Sequence, residues 1–213
     1  GGGDDGSRDY VSGLPRLFRN IFHVPGPDNG SFAELMNCGL RVSLGKYIIW
    51  LNDDTVVTPG WADRLVEAKH FISDSLGLGN NLKLIGPISN YAGGDQGFDV
   101  SAYSGKSPEE IDSIVRQKFA GSFALTHTLS GFCLLHDRSL LETVGFLDER
   151  FKPGGFEDND FVLRAQSLGY FCAIAGDVFV YHEGGSTFGR PQFIHSKNGM
   201  SNYPVFLSKW APK

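Results

Sequence analysis

Hydrophobic and polar positions fall into blocks that predict strands and helices in turn. The clearest block is residues 46–55, KYIIWLNDDT, where an apolar run without Gly or Pro ends in an amide and two carboxylates. Such a run is typical of a strand buried on both faces. Helical spacing of apolar residues predicts a helix on each side of it, one from Phe32 to Ser43 and one from Pro59 onward. This alternation predicts an α/β fold with a mostly parallel central sheet flanked by helices.

The alternation continues along the rest of the chain. Ser107 and Glu110 have the spacing of a capping box, which predicts that a helix begins at Pro108. The acidic cluster at 157–160 predicts the start of another helix, because the helix dipole stabilises carboxylates in the first turn. This helix is predicted to run to Leu168. Further apolar runs predict strands at residues 18–24, 82–85, 128–135, 171–175 and 178–181.

The length of 213 residues allows one domain with a sizeable core. No boundary within the chain is evident, and we predict a domain over residues 1–190 followed by a C-terminal tail over 191–213. Residues 1–13 are polar and rich in Gly, and they contain no candidate for a core strand.

Composition narrows the function classes. The formal net charge of -5 gives no general attraction to nucleic acid. Cys38, Cys133 and Cys172 are odd in number and far apart, which favours free thiols in a reducing compartment. The sequence has no signal peptide at its start and no apolar run of about 20 residues. We therefore expect a cytoplasmic protein without a transmembrane segment in this chain, for which peripheral association with the inner face of a membrane stays open.

The end of the 46–55 block is the first candidate site. The carboxyl ends of strands line the ligand crevice of an open α/β sheet, so Asn52, Asp53 and Asp54 are expected there. Two adjacent carboxylates repel each other unless a cation lies between them, which suggests a divalent metal site. A polar turn before the next helix explains the same residues equally well.

Two further points at the ends of apolar elements carry suitable chemistry. They are the pair Glu157 and Asp158, and His182. Each is weak evidence alone, and a single His at a strand end is more often a surface or hydrogen-bonded residue than a ligand. Together with Asp53 and Asp54 they supply oxygen and imidazole ligands and a spare carboxylate for a base.

Four motifs, taken in order, resemble those of family 2 glycosyltransferases with the GT-A fold. The likeness covers about residues 29–190, and residues 130–169 are its most specific part. The nearest branch is the bacterial one that adds sugars to glycans. The resemblance implies a nucleotide-sugar donor, Mn²⁺ or Mg²⁺, and a glycan or other hydroxyl acceptor. The motifs are GKYIIWLNDDTVVTPGW, GPISNYAGGDQ, LSGFCLLHDRSLLETVGFLDERFKPGGFEDNDFVLRAQSLGY and IAGDVFVYHEGGSTF.

The resemblance assigns roles on the donor side of the site. Residues 52–54 match the DxD-type motif, with Asn52 in place of the first carboxylate. It implies that Asp54 and His182 ligate a metal that bridges the donor diphosphate, and that Asp53 lies near the ribose or sugar.

Two flanking segments are further donor-binding candidates. Asp5, in the sequence DDGS, matches a turn whose carboxylate contacts the base or ribose, although DDGS is also an ordinary turn. Arg190 follows the Gly-rich turn after His182 and is a candidate charge partner for the diphosphate. A mobile turn without that role explains Arg190 equally well. The family's opening strand and helix, which precede the position of Asp5, are missing from this sequence.

On the acceptor side, Asp158 matches the family's base. It would take the proton of an acceptor hydroxyl as that oxygen attacks the anomeric carbon opposite the diphosphate, which inverts the configuration. Glu157 would raise the basicity of Asp158 or bind acceptor hydroxyls. The loop at 89–96 is either an acceptor wall or, by preference, a solvated loop. Asp160 and Arg164, one turn apart, are predicted to make a structural ion pair.

Two other functions are compatible with the same motifs. A GT-A-like domain that binds glycan or a protein partner without turnover would account for the missing opening strand and helix. A nucleotidyltransferase of similar architecture would need a Gly-rich basic phosphate loop, and the sequence has none.

Overall fold

The structure is a computed structural model that describes residues 6–184 and 197–211. The helices are α1 (Ser7–Leu17), α2 (Phe32–Val42), α3 (Trp61–Ser75), α4 (Pro108–Lys118), α5 (Leu140–Thr143), α6 (Glu157–Ser167) and α7 (Lys197–Trp210). The strands are β1 (Tyr47–Leu51), β2 (Thr55–Val56), β3 (Leu82–Ile88), β4 (Phe123–Thr126), β5 (Cys133–Asp137), β6 (Phe171–Phe179) and β7 (Tyr181–His182).

Five of these strands form a central sheet in the order β1-β5-β3-β6-β4, and β2 and β7 form a separate ribbon. In the central sheet β3 pairs with β6 in parallel, whereas β1 with β5, β3 with β5, and β4 with β6 are antiparallel. The predicted α/β class is confirmed, but the prediction of a mostly parallel sheet is wrong, since the sheet is mixed. A buried apolar run has the same pattern in either direction, so the reversal of β5 left no signal in the sequence.

The sheet has helices on both faces. On one face, α2, α4 and α6 bury apolar residues against Ile48, Trp50 and Leu84. On the other face, Leu65 and Ile72 of α3 pack on the sheet. Alternate residues of β1 therefore point into different halves of the core, which is the pattern of a strand covered on both sides.

The predicted helices are confirmed where capping signals are strongest. Ser31 and Ser107 each form a complete capping box, with Glu34 and Glu110 respectively. The acidic helix begins at Glu157 as predicted.

Several predicted strands need correction. Residues 18–24 form no strand. Residues 128–132 are a loop that leads into β5, and the unpredicted β4 lies before them. Two strands were predicted at 171–175 and 178–181. The structure has instead one strand, β6, which continues through Gly176 and Asp177, and then the short strand β7. The register of β6 against β3 is irregular. Short apolar runs leave the ends of strands poorly specified, because the pairing partner decides where the ladder stops.

Helix α7 lies in the segment predicted to be a tail, and it packs on the start of α6. The indole Nε1 of Trp210 donates to Asp160 Oδ1 at 2.9 Å. The predicted ion pair is also present, with Arg164 Nε 2.8 Å from Asp160 Oδ2. The division at residue 190 stays a prediction. Across 6–184 and 197–211, no helix has both the length and the apolar character needed to cross a membrane.

Candidate active site

The candidate site lies at one edge of the central sheet. Strands β1, β3 and β6 run in the same direction, and β5 runs against them with Cys133 opposite Leu51. The carboxyl ends of these three strands and the amino end of β5 therefore share an edge. The segments at this edge are residues 52–54, 89–91, 130–132 and 180–182.

The β2–β7 ribbon brings Asp54 and His182 together across 128 positions of sequence. Thr55 pairs with His182 in this ribbon, and the N–H of Glu183 donates to the carbonyl oxygen of Asp54 at 2.9 Å. As a result, His182 Nε2 lies 3.0 Å from Asp54 Oδ1. The predicted pair thus lies within the contact distance that a shared cation needs.

Asn90 and Tyr91, in the loop after β3, fix the orientation of His182. The Asn90 side chain accepts from the His182 N–H and donates to the His182 carbonyl, both at 2.9 Å. His182 Nδ1 lies 2.7 Å from the carbonyl oxygen of Tyr91. The imidazole also stacks on Phe132, with ring centroids 5.1 Å apart, and His182 is only 8% exposed.

The contacts of His182 place Nε2 beside the Asp54 carboxylate, where a cation would find two ligands. Both nitrogens face acceptor oxygens, the Tyr91 carbonyl at Nδ1 and the Asp54 carboxylate at Nε2. A neutral imidazole carries one N–H, so it satisfies one acceptor only. With the N–H at Nδ1 donated to the Tyr91 carbonyl, Nε2 presents its lone pair beside Asp54 Oδ1, and a metal ion there would bind both atoms.

The chemistry of this donor pair fits a divalent metal. A carboxylate oxygen and an imidazole nitrogen both suit ions such as Mn²⁺. The side chain of Asn52 is 3.5 Å from His182 Nε2, and Asp53 beside it is exposed. Over the described residues, no group of three or more His, Cys, Asp or Glu side chains is arranged to hold a metal. A metal held here would take its remaining ligands from water or from a substrate, as ions that serve phosphate chemistry often do.

The second half of the site is the start of α6. Asp158 Oδ2 accepts from the N–H of Gly131, and Oδ1 accepts from the N–H of Asn159, both at 2.8 Å. A Cβ at Gly131 would lie 3.2 Å from the Cβ of Asp158. The Asp158 carboxylate can approach the backbone at Gly131 because residue 131 has no side chain. Glu157 is buried and accepts from the N–H of Gly155.

Burial governs the charge of the two carboxyl groups. It raises the pKa of Glu157 to about 8, with a further contribution from the charge of Asp158. Burial also raises the pKa of Asp158, whereas the N–H groups of Gly131 and Asn159 oppose the rise because they favour the charged form. Near neutral pH, Glu157 therefore holds a proton, and the two N–H donors favour the charged form of Asp158 against the effect of burial.

We expect Glu157→Gln to change how stability depends on pH. Between the unfolded value of 4.5 and about 8, the folded protein holds a proton on Glu157 that the unfolded chain has lost. The parent therefore loses stability as pH rises through this window, and the Gln variant, which does not titrate, escapes that loss. Unfolding by denaturant at about pH 5 and about pH 8.5 should show the stability of the variant rising relative to that of the parent by on the order of 4 kcal/mol. The exposed Glu67→Gln serves as control, and an equal difference at both pH values would contradict the shift.

One short segment joins the two halves of the site. Gly131 binds Asp158, and the next residue, Phe132, stacks on His182 and accepts from the N–H of Asn52 at 2.8 Å. Ser130 donates its N–H to Gln96 Oε1 at 2.7 Å. Residues 130–132 therefore hold the base candidate and the metal-ligand candidate in a fixed relation.

The loop at 89–96 differs from the preferred expectation of a solvated loop. Ser89 and Gln96 are fully buried, and Gln96 Nε2 donates to the Pro87 carbonyl at 2.8 Å. Sequence reasoning missed the supporting roles of Asn90 and Gln96. The available signal was their place directly after a buried strand, at the edge that carries the other candidates.

The structure brings together the six predicted site residues that it describes. Asn52, Asp53, Asp54 and His182 lie at the β2–β7 ribbon, and Glu157 and Asp158 are joined to them through residues 130–132. Asp5 and Arg190 lie outside the described residues, and their roles stay predictions.

Comparison with solved structures defines the fold class. A mannosyltransferase from Pyrobaculum calidifontis in complex with GDP-Man and Mn²⁺ matches with a TM-score of 0.56 and 15% identity, over 85% of this chain and 45% of that one. GalNAc-T7 with UDP, GalNAc and Mn²⁺ matches with a TM-score of 0.64 and 14% identity, over 98% of this chain and 41% of that one. The predicted GT-A fold is confirmed.

The sequence comparison gives the family. The profile of glycosyl transferase family 2 matches residues 2–145. This chain belongs to that family, which confirms the resemblance.

Two curated relatives are longer than this chain. A galactofuranosyl glycosyltransferase of Leishmania donovani is 26% identical over 255 aligned residues, which cover 96% of this chain and 56% of that protein. A chondroitin synthase of Escherichia coli is 26% identical over 210 residues, which cover 84% of this chain and 29% of that protein. The chain thus spans about half or less of the length of these relatives.

Proposed function

We propose that this chain is a metal-dependent inverting glycosyltransferase that moves a sugar from a nucleotide-sugar to a hydroxyl of a glycan or similar acceptor. The observation that carries the proposal is the 3.0 Å approach of His182 Nε2 to Asp54 Oδ1, with His182 Nδ1 held 2.7 Å from the Tyr91 carbonyl. Family membership and the likeness to enzymes bound to GDP-Man or UDP with Mn²⁺ support the same function.

Donor binding is assigned to the β2–β7 ribbon. Asp54 and His182 would hold Mn²⁺ or Mg²⁺, and the ion when bound would neutralise charge on the departing nucleoside diphosphate. Asp53 is exposed beside this pair and is available to hydroxyls of the ribose or sugar. Asn52, Asp5 and Arg190 complete the proposed donor contacts.

Proton transfer is assigned to Asp158. Each of its carboxylate oxygens accepts one backbone N–H, which leaves a further lone pair on each for the acceptor hydroxyl. As the acceptor oxygen forms its bond to the anomeric carbon, the hydroxyl proton passes to Asp158 and the bond to the diphosphate breaks. Attack from the face opposite the diphosphate inverts the anomeric configuration. Glu157 keeps its own proton near neutral pH and can hydrogen-bond an acceptor hydroxyl.

The direct test is sugar transfer with a panel of donors. UDP-galactose, UDP-galactofuranose, UDP-GalNAc, UDP-GlcNAc and GDP-mannose would be offered with simple sugar acceptors, with Mn²⁺ or with EDTA. We expect transfer from one donor class, loss of transfer in EDTA, and an inverted anomeric configuration by NMR. Glycan binding without affinity for any nucleotide would instead identify a binding domain that does not turn over.

Asn90→Ala is expected to weaken use of the metal. The substitution removes both hydrogen bonds to the His182 backbone and leaves the two proposed ligands in place. Loss of a group that orients a ligand should raise the Mn²⁺ concentration for half-maximal transfer by about 10- to 100-fold. Asn80→Ala, at an exposed position away from the site, is the matched control. Equal Mn²⁺ dependence in both variants would argue against a positioning role for Asn90.

A further inference from the structure

Asn202 of α7 binds the loop that leads into the acidic helix. Its side chain is 2% exposed, and Nδ2 donates to the carbonyl of Gly154 at 3.0 Å and to the carbonyl of Gly155 at 3.1 Å. This buried amide donates to two consecutive carbonyls and so fixes the orientation of both peptide groups. Helix α7 therefore determines how the chain enters α6.

The bound loop is in direct contact with one of the site carboxylates. Gly155 accepts from Asn202 through its carbonyl and donates its own N–H to Glu157. One residue thus links α7 to the carboxylate beside Asp158. The peptide group between Gly154 and Gly155 carries both a carbonyl that accepts from Asn202 and the N–H that binds Glu157, so its rotation would break both contacts.

Phe156, between the loop and the helix, adopts a conformation that needs support. Its φ of 73° lies in the left-handed region, which is unfavourable for a residue with a Cβ. Its ring packs on Phe206 and Tyr203 of α7, with centroids 5.0 Å and 5.9 Å away. The same helix that binds the loop through Asn202 also covers the residue at its turn.

A separate set of contacts anchors α7 at its other end. Lys209 Nζ lies 2.5 Å from Asp160 Oδ1 and 2.7 Å from Asp148 Oδ2, and Trp210 also binds Asp160. These contacts do not involve Asn202. Removal of the Asn202 amide should therefore leave the helix docked.

We propose that Asn202 is a positioning residue of the active site, which holds Glu157 and Asp158 in place by fixing residues 154–156. Its role in the reaction rests on the proposed transferase function, whereas its role in ordering the loop does not. Helix α7 thus helps to position the proposed base, Asp158.

The kinetic test compares Asn202→Ala with the parent. We expect kcat to fall by about 10- to 100-fold, since small displacements of a catalytic group have effects of this size. The KM for the nucleotide-sugar should stay within about twofold, because Asp54 and His182 are held by other contacts. In the Asp158→Asn background the same change should have little further effect, since Asn202 acts through Asp158. Ser208→Ala, which alters an exposed hydroxyl of the same helix, is the control.

Hydrogen exchange tests the loop without reference to activity. Amides of residues 154–160 should exchange about tenfold or more faster in Asn202→Ala than in the parent, with the amides of the central sheet unchanged. Unchanged protection of these amides would overturn the inference, as would an unchanged kcat in an active parent. If the parent transfers no sugar, the proposed function fails and the exchange result alone decides whether Asn202 orders the loop.

Discussion

Asp158→Asn is expected to lower the rate of sugar transfer by about 10²- to 10⁴-fold, the usual contribution of a positioned base. The amide has nearly the same shape, and its oxygen can still accept the N–H of Gly131, whereas the acceptor for the N–H of Asn159 is lost. An amide cannot take the proton of the acceptor hydroxyl. The loss should therefore fall on kcat, with the KM for the donor nearly unchanged.

The rate of the parent should also depend on pH through the same group. Burial raises the pKa of Asp158, so protonation should switch off transfer at a pH above the usual range of a carboxylate. Initial rates of transfer across pH, for the parent and for the exposed Asp63→Asn as control, would measure the effect. If Asp158→Asn transfers as fast as the parent, Asp158 is not the base.

Asp54→Ala should abolish metal-dependent binding of the nucleotide. The substitution removes one of two proposed protein ligands and leaves the His182 imidazole without its partner at Nε2. We expect the Kd for UDP or GDP in the presence of Mn²⁺ to rise by about 100-fold or more, which corresponds to about 2.7 kcal/mol. His182→Ala should have a similar effect, because either loss leaves the cation a single protein ligand.

Titration calorimetry with UDP or GDP, with and without Mn²⁺, measures this expectation directly. His127→Ala, at an exposed position, controls for the loss of an imidazole. The double variant should bind no more weakly than either single variant, since both remove the same site. Parent-like binding in Asp54→Ala and His182→Ala would exclude this pair as the metal site.

Local signals in the sequence were sufficient for much of the secondary structure. The capping box at Ser107 marks a helix start, since Ser and Glu three residues apart satisfy each other's backbone donors. The apolar run before Asn52 predicted β1, because burial on both faces needs no partner to be recognised. These features depend on residues that are close in sequence, so they can be predicted from the sequence.

Pairing between segments that are distant in sequence was harder to predict from the sequence. The reversal of β5 depends on which strands lie beside it, and a buried strand has the same composition in either direction. The loop at 89–96 was expected to be solvated because it is polar. It is instead partly buried, since Gln96 satisfies backbone groups of two other segments.

The sequence by itself determined the family motifs, the residue types of the site and the capped helices, because each is a matter of short-range spacing. Tertiary structure alone decided that His182 Nε2 lies 3.0 Å from Asp54 Oδ1. It also decided that the N–H of Gly131 donates to the Asp158 carboxylate and that the Asn202 amide donates to the Gly155 carbonyl. These contacts join residues far apart in the chain. Their geometry follows from strand pairing and helix packing, which no local pattern encodes.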